Sequence, residues 1–348
     1  MKFIHIADIH LGAEPGRGRT IGEENRSYSW QAFKEVINRA RQEQVQILLI
    51  AGDLFHRQPL VRELKEVNAQ FSMLPQTQVV LIAGNRDYLA PESCYQTFSW
   101  AENVHFLKQE RMEYVELEGL DTRVYGFSYW RREISEPLYQ EVNIKEGDYC
   151  NILLGHGGDE KHIPFQTNDF VKSAFDYVAF GHIHKPVEIV KNKVVMAGAL
   201  QPVDCSDTGE HGYFQGEIKD HVCEVKFIPL HFCEYVSLNL KVSPEITQSA
   251  LREYVTTRIC MAPKYQKFRL TLKGFCDEEH PVDAEQLRNI EQVEQVIDKC
   301  RADYDFEKLK LQYGQQILGR YIRTLEEMPQ NEVTKKALYY GVEALMAE

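Results

Sequence analysis

Seven polar residues stand at the ends of apolar runs in the first 185 residues of this chain, and their types suit metal-assisted chemistry on an anion. Residues 3–7 lead into Asp8 and His10, residues 47–51 into Gly52-Asp53, and residues 79–83 into Gly84-Asn85. Residues 152–154 lead into Gly155-His156, and residues 177–180 into Gly181-His182-Ile183-His184. Sites in α/β sheets form outside the carboxyl ends of strands. A glycine ahead of the polar residue lets the backbone turn sharply there. A single His or Asp in such a place is ordinary turn chemistry or a helix cap. Five strand ends delivering Asp, His or Asn together are not.

The set offers nitrogen and oxygen but no sulfur, which fits Mn, Fe, Zn or Co better than Ca or an iron–sulfur cluster. Seven groups exceed what one ion with an open position needs. Two ions sharing a carboxylate fit the number, and such a pair, about 3.5–4 Å apart, holds both oxygens of an in-line phosphoryl displacement.

Five short runs rich in Val, Ile, Leu or Phe must place these groups. Their continuous apolar character predicts strands buried on both faces, as in a sheet covered by helices. Helical stretches are expected at 29–44 and 59–74, with Pro59 suited to a first turn. Strand–helix alternation reads as α/β layering. From about Asn192 short strands take over, at 194–197, 213–218 and 222–229. A second region begins near Phe232, with strands at 235–242, 268–272 and 290–297 and a helix at 243–257. From Tyr304 the tail reads as helical. Phe306, Leu309, Tyr313, Ile317, Tyr321 and Leu325 form one apolar stripe. Met328-Pro329-Gln330-Asn331 breaks it ahead of a last helix, 333–346.

The 348 residues leave room for roughly two to three domains, and 43% hydrophobic with 26% charged residues is ordinary for a globular chain. A net charge of −12 argues against non-specific coating of DNA. It does not exclude an enzyme whose two divalent ions add about +4 at one cleft. Eight cysteines form no CxxC pair and read as reduced thiols. With no apolar run of about 18 residues and no signal-peptide pattern after Met1, the expectation is a cytoplasmic protein away from membranes.

Asp8-x-His10, Gly52-Asp53, Gly84-Asn85, His156 and Gly181-His182-x-His184 resemble, in order and spacing, the signature of the calcineurin-type metallophosphoesterases. The resemblance implies one ion held by Asp8, His10, Asp53 and His184, and a second by Asp53, Asn85, His156 and His182. The implied fold is a layered α/β metallophosphoesterase sandwich flanked by helices, with a small α+β capping domain and C-terminal helices. Its divisions are expected at 1–231, 232–302 and 303–348. Ala7-Asp8-Ile9-His10-Leu11-Gly12, Gly52-Asp53-Leu54-Phe55-His56, Gly155-His156-Gly157-Gly158, Gly181-His182-Ile183-His184-Lys185-Pro186, Ala199-Leu200-Gln201-Pro202 and Glu210-His211-Gly212-Tyr213 are similar to the SbcD nuclease branch. That branch implies Mn²⁺-dependent cleavage of DNA ends within an SbcCD-type double-strand-break repair complex. It also implies a homodimer formed through the early helices, and C-terminal helices that grip an SbcC-type coiled-coil ATPase.

The chain departs from the family at one position. Gly84-Asn85-Arg86-Asp87 stands where the family reads Gly-Asn-His-Asp, whereas His56 matches a second family histidine. Arg cannot act as a general acid at neutral pH, but its fork can hold a phosphate. Loss of a general acid costs about 10²–10⁴ in rate, so weakened turnover is expected. Arg17 and Arg19 in a glycine-bearing loop, together with Arg57 and Lys185, are candidate DNA contacts; Arg131, Arg132 and Lys161 are further phosphate candidates, and Tyr129-Trp130 a base-stacking candidate. The rival readings are a phosphodiesterase for small esters or nucleotides, and a catalytically silent scaffold that binds DNA ends.

Overall fold

The computed structural model describes residues 1–13, 22–142, 144–277 and 281–346. The chain divides into two compact units, Met1–Ser237 with Ala262–Arg269, and Leu238–Met261 with Leu270–Glu348.

The first unit begins with β1 (Lys2–Ile6), α1 (Gly22–Gln42), β2 (Ile47–Ala51), α2 (Val61–Ser72) and β3 (Gln78–Ile82). Next come β4 (Val104–Phe106), β5 (Glu113–Leu117), β6 (Thr122–Gly126), β7 (Cys150–His156), α3 (Thr167–Val171) and β8 (Tyr177–Gly181). It closes with β9 (Val187–Val190), β10 (Val194–Met196), β11 (Gly212–Lys219) and β12 (Val222–Pro229). One six-stranded sheet runs β12-β11-β1-β2-β3-β4, and the other β5-β6-β7-β8-β10-β9. Strands β1 to β4 are parallel, as are β6, β7, β8 and β10.

The five apolar runs belong to two sheets rather than one. Phe3, Leu49 and Val80 pack against Val124, Ile152, Leu154 and Tyr177 across the space between the sheets. On the other face of the first sheet, Ile4, Ile6, Leu48 and Ile50 meet Phe33, Val36, Leu64 and Val67 of α1 and α2. The second sheet turns Leu153, Val178 and Phe180 toward Tyr139, Phe170 and Phe175. Each run is therefore apolar throughout because one face meets a sheet and the other meets helices or loops. This is the layered sandwich expected above.

The first helix starts at Gly22 rather than 29, and α2 starts at Val61, where Glu63 accepts a hydrogen bond from Leu60 N at 2.8 Å and so caps it.

The second unit contains most of a three-stranded sheet, β13-β14-β15, formed by β13 (Glu234–Val242), β14 (Gln266–Cys276) and β15 (Val293–Ala302). Helix α4 (Gln248–Ile259) buries Leu251, Val255 and Ile259, and α5 (Ala284–Arg288) is capped by Asp283. The strand expected at 290–297 begins three residues later and runs further. The tail forms α6 (Phe306–Tyr313), α7 (Ile317–Glu327) and α8 (Glu332–Met346). The single stripe read from Phe306 to Leu325 is two helices, because Gly314 takes φ 40° and ends α6. Leu309, Leu318, Ile322, Leu338 and Val342 still pack into one core. Among the described residues no helix is long and apolar enough to cross a membrane.

Candidate metal centre

The loops after β1 and β2 are laced together by their main chains. Asp8 N donates to Gly52 O at 3.1 Å, His10 N to Asp53 O at 3.0 Å, and Leu11 N to Leu54 O at 2.9 Å. Asp8, His10 and Asp53 adopt φ of 48°, 48° and 50°, and His182 101°. Such values are uncommon away from glycine and cluster where a site over-determines the backbone. The loop after β3 is pinned by Asp87, whose buried carboxylate accepts from Gly84 N at 2.8 Å, Phe55 N at 3.1 Å and Tyr95 OH at 2.9 Å. The second sheet joins through His182 N, which donates to Asp8 Oδ2 at 2.8 Å.

The seven side chains read from the sequence come together. His10 Nε2 faces His184 Nε2 at 3.1 Å and lies 3.9 Å from Asp8 Oδ1 and 3.8 Å from Asp53 Oδ2. On the other side of Asp53, His156 Nε2 is 3.6 Å from Asp53 Oδ1 and 3.0 Å from Asn85 Oδ1, and His182 Nδ1 is 3.2 Å from Asn85 Oδ1. Among the described residues, Asp8, His10 and His184 lie close enough together to hold a cation, as do Asp8, Asp53 and His156, and Asn85 and His182 adjoin the second group.

The electrostatics fit divalent ions. Burial raises Asp8 to about 6 and holds Asp53 well above the usual carboxylate range, where Asp87 adds like charge. Burial likewise lowers His10 and His156, and takes His182 to about 3, so these rings are neutral and carry lone pairs. Asp8 Oδ1 is buried without a hydrogen-bond partner. A buried carboxylate oxygen left open beside the neutral His10 ring is what a bound cation would satisfy.

The profile of the calcineurin-like phosphoesterase family matches residues 1–186, more than half of the chain. The chain belongs to that family. It is also similar to the uncharacterized metallophosphoesterase YhaO of Bacillus subtilis (strain 168), with 28% identity over 276 residues. That match covers 73% of this chain and 66% of the relative's length.

In this phosphoesterase three of the histidines are fixed by hydrogen bonds that leave a nitrogen facing the cage. His156 Nδ1–H donates to Ala51 O at 2.8 Å, His184 Nδ1–H to Asp207 Oδ2 at 2.8 Å, and His182 Nε2–H to Asp159 Oδ2 at 2.7 Å. These roles are assigned from the partners each nitrogen meets. Such outer partners orient a ligand ring and raise its basicity. For His184 burial works against the charged form, but Asp207 and the charge of Asp8 outweigh it and raise the ring to about 9. The His156 backbone is clamped as well. Its N–H donates to Tyr139 OH at 2.7 Å, while its carbonyl accepts from Tyr139 OH at 2.9 Å and Tyr129 OH at 3.1 Å. Asp159, Asp207 and Tyr139 escaped the sequence reading of the site, and Tyr129 entered it only as a base-stacking candidate, because no fixed spacing ties these residues to the histidines they hold.

His56 lies beside the cage, with its ring 5.3 Å from that of His10, and burial followed by the Arg86 charge lowers its pKa. Arg86 donates its backbone N–H to Asp53 Oδ1 at 2.8 Å, and its side chain is exposed. Its charge reaches Asp53, His10 and His56. Lys185 is exposed next to His184. Arg57 is engaged by Glu63 at 2.7 Å, Arg131 by Glu136 at 2.5 Å, and Lys161 lies 3.8 Å from Glu133. Arg132 is exposed. Arg17 and Arg19 lie outside the described residues. Tyr129 is 1% exposed, so it clamps His156 and offers no face to a base.

Proposed function

We propose that this phosphoesterase is a phosphodiesterase of DNA ends, the nuclease subunit of an SbcCD-type complex, loaded with two Mn²⁺ ions. The observation that carries the reading is the cage itself: Asp53 between Asp8, His10 and His184 on one side and Asn85, His156 and His182 on the other. Asp8, His10, Asp53 and His184 would hold one ion, and Asp53, Asn85, His156 and His182 the other. Bound there, the pair supplies Lewis-acid stabilisation of the charge that develops on a phosphoryl group, and an acidified water.

The chain's own residues then divide the remaining work. The exposed Arg86 guanidinium sits at the mouth of the cage, where its fork takes the non-bridging oxygens of a phosphodiester. A guanidinium gives no general-acid assistance, which leaves the departing oxygen to His56 or to water and weakens turnover. Lys185 extends the positive edge along a backbone. DNA rather than a small ester is favoured by the SbcD-like peptides and by the second unit, which a minimal phosphatase does not need.

The tail offers a surface for the ATPase partner, since Leu311, Ile317 and Val333 are 85%, 74% and 76% exposed. Truncation after Ala302 is expected to abolish binding of an SbcC-type coiled coil while leaving metal content unchanged. Homodimerisation through the early helices belongs to the same reading.

The test is incubation with Mn²⁺ and linear duplex DNA, single-stranded DNA or bis-p-nitrophenyl phosphate. Degradation of DNA is the expected outcome. Turnover of the small ester alone selects a small-ester or nucleotide phosphodiesterase. Arg86 in place of histidine favours a second reading, the silent scaffold, and DNA binding without hydrolysis of any substrate would select it.

A further inference from the structure

The loop after β7 reaches back over the cage. Gly157 and Gly158 take φ of 137° and 126°, a region other residues rarely adopt, and a Cβ at Gly157 would run into the His162 carbonyl. The turn is clamped at both ends. Gly158 N donates to His162 O at 2.7 Å, Ile163 N to Ile134 O at 2.6 Å, and Ile134 N to Lys161 O at 2.9 Å. At its tip the Asp159 carboxylate is held from three directions. Oδ1 accepts from Lys161 N at 2.8 Å and His162 N at 3.0 Å, and His162 Nδ1 lies 2.8 Å and 2.9 Å from the two oxygens. Oδ2 meets His182 Nε2 at 2.7 Å, and the His162 and His182 rings lie 4.3 Å apart.

We infer that Asp159, braced by His162, is the positioning residue of the second ion site, acting through His182. The geometry leaves one arrangement of that imidazole. Its Nε2–H is committed to Asp159, so Nδ1 carries the lone pair, and Nδ1 is the atom that faces Asn85 Oδ1 at 3.2 Å. Without the carboxylate the ring is free to carry its proton on Nδ1 or to rotate, and either change removes one ligand from one site. Asp159 touches nothing else in the cage, so the first site keeps its own anchor, the Asp207 hydrogen bond to His184. The inference rests on the two-ion reading.

The experiment is a calorimetric titration of Mn²⁺ into the full metal-free chain and into Asp159→Ala, Asp159→Asn and His162→Ala. Low-temperature electron paramagnetic resonance is recorded at each step to detect the spin-coupled pair. The parent is expected to take two ions and show the coupled signal. Asp159→Ala is expected to weaken one site by about 10–100-fold, lose the coupled signal at equimolar loading, and leave the other site unchanged. Asp159→Asn keeps Oδ1 on Lys161 N and His162 N and turns its NH2 toward His182 Nε2, so it is expected to weaken the same site as much as Asp159→Ala, with His162→Ala weakening it less. Two ions bound by Asp159→Ala with parental affinities would overturn the inference. So would a third ion in the parent that both Asp159→Ala and His162→Ala lose, since the cluster would then itself be a ligand set. Equal weakening of both sites by Asp159→Asn would overturn it as well, by making the loop a general support. A parent chain that takes up no ion would sink the two-ion reading, and this inference with it.

Discussion

The backbone N–H of Arg86 is hydrogen-bonded to Oδ1 of Asp53 at 2.8 Å, so the residue that replaces the family histidine is fastened to the central carboxylate by its main chain alone. Its side chain can therefore change without loosening the cage. Arg86→His is expected to bind Mn²⁺ at least as tightly, since a cation beside the cage is gone, and to raise DNA hydrolysis at least about tenfold. Single-turnover rates at saturating metal measure this, and equal or lower rates in the variant would refute the assignment.

Asp53 is buried, and its carboxyl is held far above its ordinary value first by burial and then by Asp87. A group so placed destabilises the metal-free fold and is tolerated for what it binds. Asp53→Asn keeps an acceptor for Arg86 N. It is expected to raise the stability of the metal-free protein by about 1–2 kcal/mol and to abolish hydrolysis. Thermal unfolding with and without Mn²⁺ checks both parts. The variant should melt higher without metal and lower with it.

Tyr139 both accepts from His156 N and donates to His156 O. Tyr139→Phe leaves a buried N–H without a partner and is expected to cost about 1–3 kcal/mol in denaturant unfolding. Metal affinity should fall with it, because the clamp aims His156 at Asn85.

Acid sensitivity is expected from His5, which is fully buried and whose Nδ1 lies 2.9 Å from Tyr177 OH. Burial lowers its pKa from 6.5 to about 3. In the unfolded chain the ring takes a proton below 6.5, whereas in the folded chain it does not until about 3. Stability from this group is thus complete above 6.5 and falls as the pH drops through that window. The loss at pH 5 is about 2 kcal/mol relative to pH 7.5. Urea unfolding of His5→Gln should show a profile flatter by that amount between those pH values.

The positions of the caged side chains were legible because an apolar run, a glycine and a polar residue are all local features. Asp53, Asn85, His156 and His182 could be read that way, Asp8 by its apolar run alone, and His10 and His184 by their spacing from Asp8 and His182. What supports them was not legible. Asp159 and Asp207 each lie 23 residues from the histidine they orient, in loops with no periodicity. Tyr129 reads from the sequence only as a base-stacking candidate, Tyr139 as no candidate at all, and only the fold shows their hydroxyls on the His156 backbone. The division of the strands between two sheets was hidden for a related reason: an apolar run looks the same whether a helix or a second sheet covers it. In the tail the apolar spacing continues across Gly314, so the break between α6 and α7 follows from one backbone angle rather than from the side-chain pattern.

The most direct measurement is anomalous diffraction at the manganese edge from crystals of the chain grown with Mn²⁺. Two peaks about 3.5–4 Å apart are predicted, one on each side of the Asp53 carboxylate. A lone peak away from Asp53, or no peak among these seven residues, would contradict the account.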